Sequence, residues 1–294
     1  MRPMRCVLMG VLLAVTLAAG AVQANASAAD SAGTTAAAAA GASLVAATGA
    51  SAAIAAPATA AASNARRDWF FIPHGAHVRS GFPSDAVRLL RRYSDLWIGP
   101  RHARVIYLTF DEGWEAGTTR RIVGILDRAH VRATFFVTGQ YMRANPPIVR
   151  LLVKHGHLVC NHSYSHPYMT ALAGRPQAFA RQLRDTESAY HAATGGRLAR
   201  FFRPPYGVYS ARVLQLAQRL DYTTVFWSYT GVDYNESAQP PASVTRARVL
   251  AASYPGALLL LHASSRSNTA ALAGILHTLK LRRYRFATVD QLRP

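Results

Sequence analysis

From Arg104 onward, short apolar runs alternate with longer stretches of helical periodicity. The runs occupy residues 105–110, 133–137, 157–161, 200–202, 223–227, 257–261 and 285–289, and they are rich in β-branched and aromatic side chains. Between them, Ile122, Ile125, Leu126 and Ala129 recur at the i, i+3, i+4, i+7 spacing that makes one apolar helix face. Another helix is marked by punctuation, with Asn145 at its cap, Pro146 at its first position and Gly156 beyond its end. Seven strands alternating with helices predict an α/β fold built on a parallel sheet; the pattern alone leaves open whether that sheet is open or closed into a barrel.

The polar residues that interrupt this pattern fall just after the strands. Asp111 and Glu112 follow the first, His162 the third, Arg203 the fourth and His262 the sixth, while Asp233 lies beyond the fifth. In parallel α/β folds the carboxyl ends of the strands face one side, where sites are built, so one pocket can collect all six.

The N-terminal sequence reads differently. Arg2 and Arg5, an apolar run over residues 7–22 and small-residue sites around Ala24 predict a secretory signal peptide over residues 1–24. The run is shorter than the roughly 20 apolar residues of a membrane-spanning helix, so no span is expected after cleavage. Residues 25–65 form an Ala, Ser, Thr and Gly tract without periodic large apolar residues, read as a flexible linker. The folded domain is then expected over residues 66–294 with its core in 104–292, exported to a periplasmic or extracellular location.

Export changes how charge and cysteine are read. Cys6 leaves with the signal peptide, Cys160 remains alone, and no internal disulfide is available, so the fold must rest on its own core. Cys160 ends the apolar stretch Leu158-Val159-Cys160 and reads as a buried thiol. The formal net charge is +19, and losing Arg2 and Arg5 still leaves +17. Outside the cytoplasm such a charge favours anionic envelope polymers or membrane surfaces. No concentrated Lys/Arg tract, zinc-finger spacing or RNP-like motif supports a nucleic-acid partner.

The strand-end residues suggest hydrolysis. His162 and His166, four apart on a turn or tight loop, can share a metal, and two imidazoles plus a carboxylate leave the open position of a hydrolytic site. Asp111 and Glu112 are adjacent and point to opposite sides of an extended backbone, so one could bind metal while the other accepts a proton. His262 could be the general acid that expulsion of an amine demands. Arg203 precedes the stiff Pro204-Pro205-Tyr206-Gly207 turn, which would fix its guanidinium.

Five signatures in order resemble the polysaccharide deacetylases with a NodB homology domain, carbohydrate esterase family 4, over residues 104–292. They are Thr109-Phe110-Asp111-Glu112-Gly113, Asn161-His162-Ser163-Tyr164-Ser165-His166, Arg203-Pro204-Pro205-Tyr206-Gly207, the Asp233-Tyr234 region and Leu260-Leu261-His262. Gly113-Trp114-Glu115-Ala116-Gly117, Ala133-Thr134-Phe135-Phe136-Val137-Thr138-Gly139 and Val225-Phe226-Trp227-Ser228 are similar to the branch that deacetylates N-acetylmuramic acid on the way to muramic δ-lactam, and Gly81-Phe82-Pro83 would belong to the same domain.

The resemblance implies a distorted (β/α) barrel of about seven parallel strands. It implies Asp111 as base oriented by Arg203, His262 as acid tuned by Asp233, and a divalent metal, zinc or a similar ion, on His162 and His166 with Glu112 as third ligand. Tyr206 would contribute a backbone N–H to the oxyanion, Leu260 would line the acetyl pocket, and Tyr234 stands where the family has Trp. Glu112 also departs from the family's Asp, which puts its ligation in question. The implied substrate is an N-acetylated glycan, peptidoglycan first. Chitooligosaccharide or exopolysaccharide deacetylation and a silent glycan-binding domain are the alternatives, and the retained acid, base and arginine favour the enzyme.

Overall fold

Side-chain parity along the central strands organises the domain. The computed structural model describes residues 61–235 and 237–292; the expected signal peptide and most of the expected linker lie outside them. The strands in chain order are β1 Arg67–Asp68, β2 Val105–Glu112, β3 Thr134–Val137, β4 Leu158–Asn161, β5 Ala199–Phe202, β6 Val208–Tyr209, β7 Thr223–Thr224, β8 Tyr229–Thr230, β9 Leu258–His262 and β10 Arg285–Ala287. The main sheet runs β7-β5-β4-β3-β2-β9-β8, with β10 paired to the start of β2, and all its pairings are parallel. All seven expected strands form, and the two-residue β8 adds another.

Successive residues of β2 face opposite sides, as the pleat requires. Ile106, Leu108 and Phe110 point outward and pack with Ile122, Leu126, Leu272 and Ile275 of the covering helices. Val105 and Tyr107 point into the curl of the sheet, where they meet Phe136, Cys160, Leu258 and Leu260. Cys160 is buried and free, as its neighbours in sequence suggest. Both faces of the central strands are therefore apolar, which is why they read as continuous hydrophobic runs rather than alternating ones.

The sheet curls into a half-barrel that hydrogen bonding does not close, since β7 and β8 are its two edges. Residues 225–228 cross between those edges, so their backbone groups need other partners. Val225 N–H donates to Phe202 O, Phe226 N–H to Leu96 O and Ser228 N–H to Leu258 O. On the acceptor side, Trp69 Nε1 donates to Trp227 O and Ser80 Oγ to Ser228 O. The buried Arg203 guanidinium donates to Val225 O and Phe226 O.

The segment preceding the barrel is part of this arrangement. Trp69 stacks on Phe82 at 5.4 Å and lies 4.8 Å from Phe226, and Phe82 meets Trp97 edge-on. Order also reaches upstream of residue 66, where a linker was expected. Asn64 accepts from Ser210 Oγ and donates to Thr170 O, while Ser63 O accepts from Arg212 N–H. Those are specific polar contacts that composition does not reveal.

The helix Pro146–Lys154 begins at Pro146 and has Asn145 at its cap position, but the Asn145 side chain donates backward to Tyr141 O instead of capping. No helix among the described residues is long and apolar enough to cross a membrane.

Candidate active site

The inward parity of β2, β3, β4 and β9 continues past the apolar floor into a polar rim. After Val105 and Tyr107 come Thr109 and Asp111; after Leu258 and Leu260 comes His262; after Cys160 comes His162. Asp111 and His262 are register partners on neighbouring strands, so backbone pairing sets them side by side. Leu260 lies directly below on the same face, buried at the floor of the pocket.

Arg203 is 0% exposed. One of its Nη atoms donates to Asp111 Oδ1 at 2.6 Å and to Thr109 Oγ1 at 3.0 Å, and the guanidinium lies 4.0 Å from the centre of the Phe136 ring. Burial alone would push the Asp111 carboxyl up, but the Arg203 charge, followed by His162 and His262, holds it below the ordinary carboxylate range. Asp111 is thus ionised at neutral pH, with one oxygen engaged by Arg203 and the other 3.6 Å from His162 Nε2.

His162 and His166 sit on the loop after β4, not on a helix turn. Ser163 and His166 both take positive φ, 65° and 59°. The loop is pinned from behind, since Ser163 N–H donates to Asn161 Oδ1 while Tyr164 and Ser165 N–H share Gln182 Oε1. This folds His166 back until its Nε2 is 3.2 Å from His162 Nε2. His162 Nδ1 donates to the Arg203 carbonyl at 2.8 Å, which leaves its Nε2 lone pair facing His166. Burial lowers the pKa of both rings, that of His166 to about 3, so both are neutral donors at pH 7.

Two imidazole nitrogens converging beside a carboxylate fit a divalent cation. Among the described residues, however, no group of three or more His, Cys, Asp or Glu is placed to hold a metal. Glu112, expected as the third ligand, does not join the two histidines. Strand parity turns it to the outer face of β2, where it is 1% exposed and accepts from Thr119 Oγ1 at 3.2 Å. Burial, then the neighbouring Glu115 carboxylate, pushes its pKa well above the ordinary range. The extra methylene relative to Asp does not bring it round to the histidines.

His262 is held on the other side of the pocket. Its Nδ1 donates to Asp233 Oδ1 at 2.7 Å and its backbone N–H to Asp233 Oδ2 at 2.9 Å. Burial lowers the imidazole pKa, but the hydrogen bond and charge of Asp233, with Asp111 behind, more than compensate and leave it raised. Tyr234 is exposed at the rim, edge-on to His262 at 6.0 Å. Tyr206 sits 4.5 Å from the His166 ring with φ of 61°, a left-handed conformation that costs a non-glycine residue free energy.

Several supporting residues escape the sequence reading. Asn268 donates to both Asp233 Oδ2 and His262 O, and Gln239 ties Asp233 O to the helix start by accepting from Ser267 N–H. The one available signal is Ser265, three residues before Asn268, which caps the helix Arg266–Leu281. Gln182, within the helix Pro176–Thr194, carries no signal at all.

The family model for polysaccharide deacetylases matches residues 98–225. Over 232 residues the chain is 35% identical to an uncharacterised 30.6 kDa protein of the fumA 3′ region in Geobacillus stearothermophilus, covering 79% of this chain and 87% of that protein. It is 32% identical over 232 residues to the peptidoglycan-N-acetylmuramic acid deacetylase PdaA of Bacillus subtilis (strain 168), covering 79% and 88%. The solved structure of B. subtilis PdaA, a family 4 carbohydrate esterase, matches with a TM-score of 0.75 at 32% identity, over 78% of this chain and 97% of that one.

Proposed function

The chain belongs to the polysaccharide deacetylases of carbohydrate esterase family 4, and on that premise we propose that it hydrolyses N-acetyl groups of a cell-wall glycan, peptidoglycan N-acetylmuramic acid first. The observation that carries this reading is the pairing of Asp111 with His262 on adjacent strands, each backed by a partner of opposite charge. Sugar binding alone does not require an ionised carboxylate and a proton-bearing imidazole across one pocket.

Asp111 accepts a proton from the attacking water, with Arg203 fixing the carboxylate and Thr109 fixing Arg203. As the C–N bond breaks, His262 gives its Nε2 proton to the amine, and the Asp233 contact at Nδ1 steadies the imidazolium beforehand. The products are acetate and the free amino sugar. The backbone N–H of Tyr206 serves the oxyanion, Leu260 takes the acetyl methyl and Tyr234 flanks the sugar. His162 and His166 would hold a divalent ion, zinc first, which when bound polarises the acetyl carbonyl and lowers the pKa of water. Glu112, turned to the outer face of β2 beside Thr119, is left out of that set.

The signal peptide over residues 1–24 and the tract that follows would deliver this domain to the envelope, periplasmic or extracellular. The test is acetate release from peptide-free peptidoglycan strands, with and without added zinc, followed by muramidase digestion and mass analysis. Deacetylated or lactam-containing muramic products are expected. Loss of acetyl from glucosamine alone, or activity confined to chitooligosaccharides, would overturn the muramic assignment.

A further inference from the structure

Beyond the pocket, three side chains form a stack that the mechanism does not use. Tyr206 abuts His166 at 4.5 Å, Tyr168 lies 4.4 Å from Tyr206 at an interplanar angle of 31°, and the Arg66 guanidinium sits 5.1 Å over the Tyr168 ring. Both tyrosines are exposed, 57% for Tyr206 and 44% for Tyr168. The stack runs outward from the histidine pair and ends in a cation. It is built from three segments: the loop after β4, the turn after β5 and the chain upstream of β1.

Specific contacts hold Arg66 there. β1 pairs antiparallel with β6, which directly follows the Tyr206 turn, and Asn64 is bonded to Thr170 O and Ser210 Oγ. The left-handed φ of Tyr206 turns its ring out of the core. The exposed edges of the stacked rings make an apolar wall beside the reaction centre, which suits the C–H face of a pyranose whose hydroxyl edge stays in water. Arg66 also has one anionic neighbour, Asp68, at 2.9 Å; one Nη contact leaves other guanidinium donors for a second carboxylate.

We propose that Tyr206, Tyr168 and Arg66 form a glycan subsite adjoining the deacetylation pocket, in which the exposed edges of the tyrosines pack against a sugar ring and Arg66 binds a carboxylate carried by that strand. The inference rests on the deacetylase reading for the kind of polymer bound, and it adds the element that would distinguish an acidic strand from a neutral one. The lactyl carboxylate of a peptide-free muramic residue has that chemistry.

The test uses muramic-containing oligosaccharides freed of peptide, with the lactyl group either as the carboxylate or as its neutral amide. Binding is measured by calorimetry in the His262→Ala background, where turnover is suppressed. The parent should prefer the carboxylate, and Arg66→Gln should reduce that preference roughly 3- to 5-fold, the size of an exposed charge contact. Asp68→Asn should increase it. Tyr168→Ala should weaken both ligands together, by about 5- to 10-fold. Equal affinity of the parent for the two ligands, or a preference untouched by Arg66→Gln, would overturn the subsite. Acetate release is scored separately in the unsubstituted protein. Binding that follows this pattern without any acetate release would sink the deacetylase reading and leave the subsite standing.

Discussion

Arg203 has two duties at once. It neutralises Asp111, and it supplies the donors that the backbone of residues 225–228 lacks where the sheet fails to close. Removing it leaves a buried carboxylate and two buried carbonyls without those bonds. Arg203→Met should therefore destabilise the fold by about 3–5 kcal/mol, read from urea unfolding, rather than merely slow the reaction. Asp111 adds a pH signature of its own. Its folded pKa is depressed, so its stabilising contribution is present above the unfolded value and is lost as pH falls through the folded one, in strongly acid solution.

Chemistry separates from stability at the exposed end of the pocket. His262→Ala should lower turnover by about two to four orders of magnitude, the usual worth of a positioned acid, with bound metal retained. Because His262 acts protonated and its pKa is raised largely by Asp233, Asp233→Asn should move the alkaline limb of kcat to lower pH. An unmoved limb in a folded, active variant would show that His262 is not the group titrating there. Stability follows the same sign: the contribution from His262 is present below its unfolded pKa and fades as pH rises through the raised folded value.

At the level of elements, the strand ends place the functional groups and the neighbouring loops aim them. The histidine loop has positive φ at Ser163 and His166, and its turn is secured by Asn161, which donates to Leu183 O, and by Gln182 on the same helix. Gln182→Ala should weaken zinc affinity about 10- to 100-fold while far-UV circular dichroism stays the same, as expected when a group that orients a ligand is lost. Full affinity would mean that Asn161 suffices. Ser265 caps the helix carrying Asn268, so Ser265→Ala should cost about 1 kcal/mol of stability.

Across the whole molecule, the excess of 33 basic over 14 acidic residues gives a field that favours anionic, immobile polymers. Hydrolysis of peptide-free peptidoglycan strands should therefore fall as ionic strength rises from about 20 to 500 mM, where the screening length shrinks to a few ångströms, while hydrolysis of neutral chitooligosaccharides stays level. Equal salt sensitivity on both substrates would remove the field from the account. The half-barrel also explains why the chain ahead of β2 cannot be spared: Trp69 seals the segment that spans the gap and stacks between Phe82 and Phe226. Trp69→Ala should cost about 3–5 kcal/mol.

Strand positions, their parallel sense and the strand-end location of Asp111, His162, Arg203 and His262 were legible in the sequence, because hydrophobic periodicity and punctuation are local properties. Which side-chain parity faces inward was not legible, because both faces of the central strands are apolar and alternation carries no mark of inside and outside. Only packing against the helices decided that Asp111 points into the pocket and Glu112 away from it. Nor could local pattern reveal that the barrel stays open, that Arg203 bridges the opening, or that Gln182, Asn268 and Arg66 meet residues far away in the chain. Those contacts join segments separated by loops of many residues, and their partners are chosen by where the folded backbone brings them.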